Sequence, residues 1–318
     1  MAQTAVVAVG GNSLIRSGEQ GTIAEQLANT RRTADAIVQI IGLGFNVVVT
    51  HGNGPQVGAA LLRSERSADH VYTHSLDVCD ATTQGEIGYL LQQSLYGALA
   101  DAGLQMPVAT VLTQVVVSPT DPAMQRPTKP IGPFYSAREA EARRQQFGWH
   151  LVEDASRGYR RVVPSPEPVE IVEEGVIRRL VESGVLVVAV GGGGIPVVRA
   201  ARALCGVEAV IDKDRSSALL AWRLQADLLV ISTDAEHVCL NYKRPEQRPL
   251  SRVTAGELGQ YHADGHFAPG NMGPKVESAL RFLEHGGKEV IITSHNRLFD
   301  AVRGDAGTHI VPGGEQQP

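Results

Sequence analysis

Short runs of β-branched residues that end in glycine or a polar turn alternate with stretches of helical spacing, and this alternation constrains the chain most. AVVAV at 5–9 breaks into Gly10 and Gly11, and NVVVT at 46–50 breaks into HGNG at 51–54. VLVVAV at 185–190 runs into four glycines at 191–194, and LLVIST at 228–233 into Asp234. Between the first two runs, 24–41 carries Leu27, Ala34, Ile37, Val38 and Ile41 on one helical face, stopped by Gly42 and Gly44. Further helices are predicted at about 75–102, 170–183, 214–225, 253–259 and 273–286, and strands at 108–117 and 289–293, with a short closing helix. Strands alternating with helices predict a mostly parallel sheet covered on both faces. Ligands of such a sheet bind at the carboxyl ends of its strands, where these loops fall.

The chain has 318 residues, enough for one large α/β domain or two medium ones. A net charge of −5 argues against a general nucleic-acid or acidic-membrane surface. Cys79, Cys205 and Cys239 are far apart and form no CxxC pair, which fits buried thiols in a reducing cytoplasm. The N-terminal apolar run is too short for a signal peptide, and no stretch approaches the length of a membrane span.

The loops have the look of anion cradles, because glycine lets backbone N–H groups approach closely and a following helix adds its dipole. Yet VVAVGGNSL at 6–14 and VVTHGNGPQVG at 48–58 contain no lysine or arginine. No GxxxxGK[ST] and no GxSxG occurs, and GNGPQVG at 52–58 misses the dinucleotide spacing by one residue. Three lysines elsewhere could bring the missing charge. Lys213 lies between Asp212 and Asp214 just past a strand. Lys275 falls in the first turn of a helix behind Gly270, Gly273 and Pro274, where it opposes the dipole unless an anion sits between them. Lys129 lies in a proline-rich stretch, 118–168, too long for an ordinary connection and read as an inserted subdomain or lid with its own hairpin.

These residues carry a resemblance. GGN at 10–12, HGNGPQVG at 51–58, KPIGPFY at 129–135, GYRRVVPSP at 158–166, GGGGIPV at 191–197, AVIDKD at 209–214 and GNMGPKVE at 270–277 are similar, in the same order, to carbamate kinases of the amino acid kinase superfamily. The resemblance runs from about residue 5 to about 312. Ser13 and Ser156 depart from the residues usual there, without touching a charged group. Many relatives in the superfamily keep a lysine beside the first glycine loop; here Ala8 stands in that neighbourhood, and the resemblance implies that the inserted Lys129 supplies the charge instead.

The resemblance implies a three-layer αβα sandwich, a single amino acid kinase domain with an inserted protruding subdomain at 118–168. Residues up to about 210 would form a carbamate-binding lobe, and 211–318 a nucleotide-binding lobe. The implied reaction is reversible: ATP and carbamate give ADP and carbamoyl phosphate, with Mg²⁺ accompanying the nucleotide. Gly10, Gly11, Asn12, Gly52, Asn53 and Gly54 would meet the carbamate and the transferred phosphoryl group, so Gly11 and Gly54 are expected not to tolerate side chains. Lys129, Lys213 and Lys275 would neutralise the phosphoryl oxygens, held by Asp214, while Thr233, Asp234, Tyr242, Met272 and Lys275 would contact the nucleotide. A cytoplasmic homodimer making ATP in arginine, agmatine or purine-derived catabolism is also implied. The rivals are another acid-group kinase of the same fold and a silent nucleotide-binding paralogue. His70 and His74 are four apart but lack a third ligand, and Arg157, Arg160 and Arg161 are read as surface or packing residues.

Overall fold

A central sheet of eight strands organises the protein, described here by a computed structural model for residues 3–16, 18–153, 158–268 and 271–313. Its strand order is Arg252–Thr254, Thr308–Val311, Glu289–Ser294, Leu228–Thr233, Gln3–Val9, Phe45–His51, Leu186–Val188, Val108–Thr110. Adjacent strands are parallel except Glu289–Ser294 against Thr308–Val311. The inner strands are apolar on both sides because both faces are covered. Val6, Val48, Val187 and Leu229 enter one core, packed with Ile177, Leu220, Val276 and Phe282 of three helices. Val7, Val49, Val188 and Val230 enter the other, packed with Ile37, Ile87, Leu91 and Leu95. This is the predicted sandwich of two helical layers on a mostly parallel sheet.

The helices Ile23–Gly42, Leu76–Asp101, Lys213–Arg223 and Met272–Glu284 fall where the spacing puts them. Ile23–Gly42 opens with a capping box: Thr22 Oγ1 accepts from the Glu25 backbone N–H, and the Glu25 carboxylate accepts from the Thr22 N–H at 2.8 Å.

Three readings need correction. The run 108–117 is not one strand: Val108–Thr110 joins the central sheet, whereas Gln114–Val117 joins a second sheet with Pro168–Ile171, Ile195–Ala200 and Ala203–Gly206. Gln84 holds the break open, its side chain bonded to both the N–H (2.8 Å) and C=O (3.0 Å) of Thr113. The helix read at 170–183 starts only at Glu174, because Pro168–Ile171 pairs as a strand. The hairpin at 195–206 and the strand Thr308–Val311, which follows the closing helix Leu298–Arg303, lay unread in the apolar pattern. The cysteines also divide: Cys79 is buried, Cys239 half-buried and Cys205 exposed on the hairpin, so the expectation of three buried thiols holds for the first alone.

Within 118–168 the described residues contain a three-stranded antiparallel sheet, Lys129–Tyr135, Tyr159–Val163 and Leu151–Glu153, with the helix Ala137–Phe147 against it. Tyr135, Ala140 and Leu151 form its small core. It sits on the helix Gly54–Arg66 through Val57, Leu61, Ile131 and Val163. A Cβ on Gly58 would come within 2.4 Å of Gly132 Cα, so glycine at 58 allows this approach of backbone to helix. Arg161 reaches Glu208 at 3.1 Å and lies over the Trp149 ring, and Arg160 Nε donates to Gly132 C=O at 3.2 Å. The arginines therefore pack the insertion, as read; Arg157 and Ser156 lie outside the described residues. No helix among the described residues is long and apolar enough to cross a membrane.

Candidate active site

Neighbouring parallel strands end at one edge, and each hands the chain to a turn or helix start there. Gln3–Val9 leads to the turn Gly11–Ser13, Phe45–His51 to the helix Gly54–Arg66, and Leu186–Val188 to the turn Gly191–Gly193. Asn12 belongs to the first turn by its backbone; its side chain lies outside the described residues, as does Gly270. The turns touch: a Cβ on Gly52 would meet Gly11 N at 3.0 Å and Lys213 Cδ at 3.5 Å. A Cβ on Gly192, whose φ is +68°, would lie 2.3 Å from Asn53 Nδ2. Contact between loops requires glycine at 192 and makes a side chain at 52 a tight fit. The expectation for Gly11 and Gly54 is different: nothing lies within 4 Å of a Cβ on Gly54, and one on Gly11 makes ordinary contact with Pro55 Cδ at 3.5 Å. The protein's own packing therefore forbids a side chain at neither.

The positive charge stands beside these loops, at the start of the helix Lys213–Arg223. Asp214 is buried and receives two ammonium groups, Lys213 Nζ on Oδ1 at 2.5 Å and Lys275 Nζ on Oδ2 at 2.7 Å. Burial by itself would raise the Asp214 pKa; the two lysines override it and hold the carboxylate below its usual range. Burial depresses the Lys213 pKa against the pull of Asp214, whereas Asp214 outweighs burial at Lys275 and raises it. Lys129 arrives from the insertion and bonds Asp212 Oδ2 at 2.6 Å. The other oxygen of Asp212 caps the helix by accepting from Asp214 N–H at 2.9 Å. Three cations thus meet two carboxylates, which leaves a net positive site beside the glycine turns.

Asp212, Asp80, Thr83 and Gln84 were not singled out as site residues from the sequence. Asp80 is buried, and burial pushes its carboxyl well above the usual range. Asn53 Nδ2 donates to Asp80 Oδ1 and to Thr83 Oγ1, both at 2.9 Å. Gln84 donates to Gly191 C=O at 2.8 Å and so fixes the glycine turn to the helix Leu76–Asp101. Polar residues inside an otherwise apolar helix stripe are the signal that could have found Asp80, Thr83 and Gln84. His51, at the end of its strand, is buried and held neutral, its pKa lowered by burial to about 4.

Farther along the sheet edge, Thr233, Asp234, Tyr242 and Met272 line a cavity of about 530 Å³ with Cys239, Asn241, Phe267 and Asn271. The helix Met272–Glu284 joins the two regions, with Met272 on the cavity and Lys275 on Asp214. His70 and His74 follow the end of the helix Gly54–Arg66 and share no helix, and no cluster of three metal-binding side chains occurs among the described residues.

Comparison with known proteins agrees with this geometry. The amino acid kinase family model matches residues 3–294. A carbamate kinase of Thermococcus kodakarensis is 47% identical over 96% of this chain and 98% of its own. The chain belongs to the carbamate kinase family. A carbamate kinase-like protein of Escherichia coli is 47% identical over 98% of this chain and 99% of its own. The structure of the Giardia lamblia carbamate kinase bound to AMP-PNP superposes with a TM-score of 0.92 at 43% identity, covering 98% of this chain and 99% of the other.

Two measurements check the packing. Gly192→Ala puts a side chain at positive φ against Asn53 and lowers stability by about 1 kcal/mol or more, whereas Gly54→Ala leaves the urea midpoint near wild type. Equal midpoints refute the loop contact. The second concerns pH. Below its ordinary 6.5 the unfolded His51 takes up a proton that the folded one refuses until about 4, so stability falls as pH drops through that window. A His51→Asn variant escapes about 2 kcal/mol of the loss between pH 7 and pH 5, read from urea unfolding at both values.

Proposed function

We propose that the chain transfers a phosphoryl group reversibly between ATP and carbamate, forming ADP and carbamoyl phosphate. The observation that carries this is the pair of ammonium groups fixed on the two oxygens of Asp214, beside glycine turns that bear no charge of their own. Carbamate is small and already an anionic oxygen nucleophile, so it needs no strong base. Catalysis is then positioning and charge neutralisation of an in-line transfer. The turns at Gly10–Asn12 and Gly52–Gly54 would hold the acceptor and the phosphoryl group, with Lys129 and Lys213 on its equatorial oxygens and Lys275 on the departing ADP.

The cavity lined by Thr233, Asp234, Tyr242 and Met272 would take the nucleotide, with its phosphates directed to Lys275. Mg²⁺ would enter on those phosphates. Among the described residues no carboxylate cluster is built to hold it, and both oxygens of Asp214 are occupied by lysine. The insertion 118–168 acts in this proposal as a lid that brings Lys129 and shields species that decompose in water. The two lobes would meet near residue 210, with the acceptor on the first and the nucleotide on the second.

We assign the chain to the cytoplasm as a homodimer. In support, Val78, Tyr89 and Tyr96 stand 41%, 63% and 47% exposed on the helix Leu76–Asp101. Sedimentation at the mass of one chain, 33.9 kDa, at micromolar concentration would remove that assignment. Carbamoyl phosphate catabolism of arginine, agmatine or purines is the setting we propose.

The activity is tested with ADP, Mg²⁺ and carbamoyl phosphate. Folded protein makes ATP, and Lys213→Ala lowers the rate about 10²-fold or more. Lys129→Ala loses rate on a similar scale; turnover at the wild-type level removes the lid lysine from the mechanism. Absence of ATP from folded wild type leaves the two rivals, another acid-group kinase or a silent nucleotide-binding paralogue.

A further inference from the structure

We propose that Arg215 is a positioning residue for Lys129: it ties the foot of the insertion to the two helices that carry Lys213 and Lys275, and so sets where the inserted ammonium group stands. This rests on the role given to Lys129 above and deepens it.

Behind Asp214 stands a second layer of charge with the signs reversed. Asp214 holds two ammonium groups with one carboxylate; Arg215, next in sequence, holds two carboxylates with one guanidinium. Its Nη1 pairs with Glu167 Oε1, and its Nη2 with Glu277 Oε2 at 2.8 Å. Glu277 lies on the helix Met272–Glu284, which carries Lys275. Glu167 closes the insertion, and its other oxygen meets Arg281 of that same helix at 2.5 Å. Arg215 is the firmer of the two arginines, 24% exposed against 55% for Arg281, and it alone forks onto both carboxylates. None of these four side chains lines the nucleotide cavity, so the layer can act only through the groups it holds in place.

A stiff path leads from Glu167 to Lys129. The Glu167 backbone N–H donates to Asp121 Oδ2 at 2.9 Å, which pins the two ends of the insertion together. From Glu167 the chain runs back through VPSPE at 163–167, where Pro164 and Pro166 fix φ. Pro164 C=O accepts from Val210 N–H at 3.0 Å, beside the segment that supplies Asp212. Val163 is the cross-strand partner of Lys129. Displacing Glu167 therefore moves the strand on which Lys129 is registered, while the contact of Lys129 with Asp212 is that of one long side chain, 35% exposed. Partly exposed ion pairs add little to stability. Misplacing a charge by about 1 Å in a phosphoryl-transfer site, however, costs up to about 10²-fold in rate.

The test is a double-mutant cycle on ATP formation from ADP, Mg²⁺ and carbamoyl phosphate. Arg215→Ala lowers kcat about tenfold in the otherwise unchanged chain but less than about twofold in Lys129→Ala, where no inserted charge remains to be placed. Glu167→Gln, made from the insertion's side, repeats the loss without adding to that of Arg215→Ala, and takes its place in the cycle if Arg215→Ala does not fold. Arg215→Lys, a point charge that meets one carboxylate at a time, recovers part of the rate. Equal losses with and without Lys129 assign Arg215 to the fold alone and overturn the proposal. So does a rise in KM for ADP with kcat unchanged, which would place the effect on the nucleotide helix. The reading beneath fails separately, before Arg215 is altered: wild type that makes no ATP, or Lys129→Ala that turns over as wild type, removes the role of Lys129 and this proposal with it.

Discussion

Asp214 between Lys213 and Lys275 is the interaction on which the site depends. A buried carboxylate is costly alone, and so are two buried ammonium groups. Each is tolerable here because the three are joined at 2.5 and 2.7 Å. Lys213 belongs to one helix start and Lys275 to another, so the carboxylate also fixes the helices Lys213–Arg223 and Met272–Glu284 against each other at the sheet edge. Asp212 extends the device to the insertion: it caps the first helix with one oxygen and holds Lys129 with the other. Helix packing, lysine placement and attachment of the insertion share one short sequence, DKD.

The glycine turns complement that charge with backbone. Asn53 lies where a Cβ on Gly192 would stand, and Gly11 packs tightly against the position of one on Gly52. Close loop contact brings backbone N–H groups and a fixed asparagine amide to the edge, and leaves charge to the lysines.

The alternating apolar runs made most of the sheet readable, since strands covered on both faces are apolar throughout. Gln3–Val9, Phe45–His51 and Leu228–Thr233 were evident for this reason. The break at Val111–Thr113 was not: VATVLTQVVV is continuous in pattern, and the turn depends on Gln84, which comes from a helix. The candidate lysines were legible because a charge beside a glycine loop or at a helix start needs an explanation. Asp80 and Thr83 were not, because a polar residue in a long helix is ordinary until its neighbours across the fold are known.

By itself the sequence determined the layers, the loops at the strand ends and the three lysines, because hydrophobic period and glycine position act locally. Only the tertiary structure decided which carboxylate each lysine meets. Asp212 and Asp214 flank Lys213 symmetrically in the sequence, and nothing local assigns Lys275 to one and Lys129 to the other. The helix start turns the two side chains apart, one toward the insertion and one toward the neighbouring helix. The same holds for Asn53, whose side-chain amide meets Asp80 and Thr83 of the helix Leu76–Asp101 only once the chain is folded.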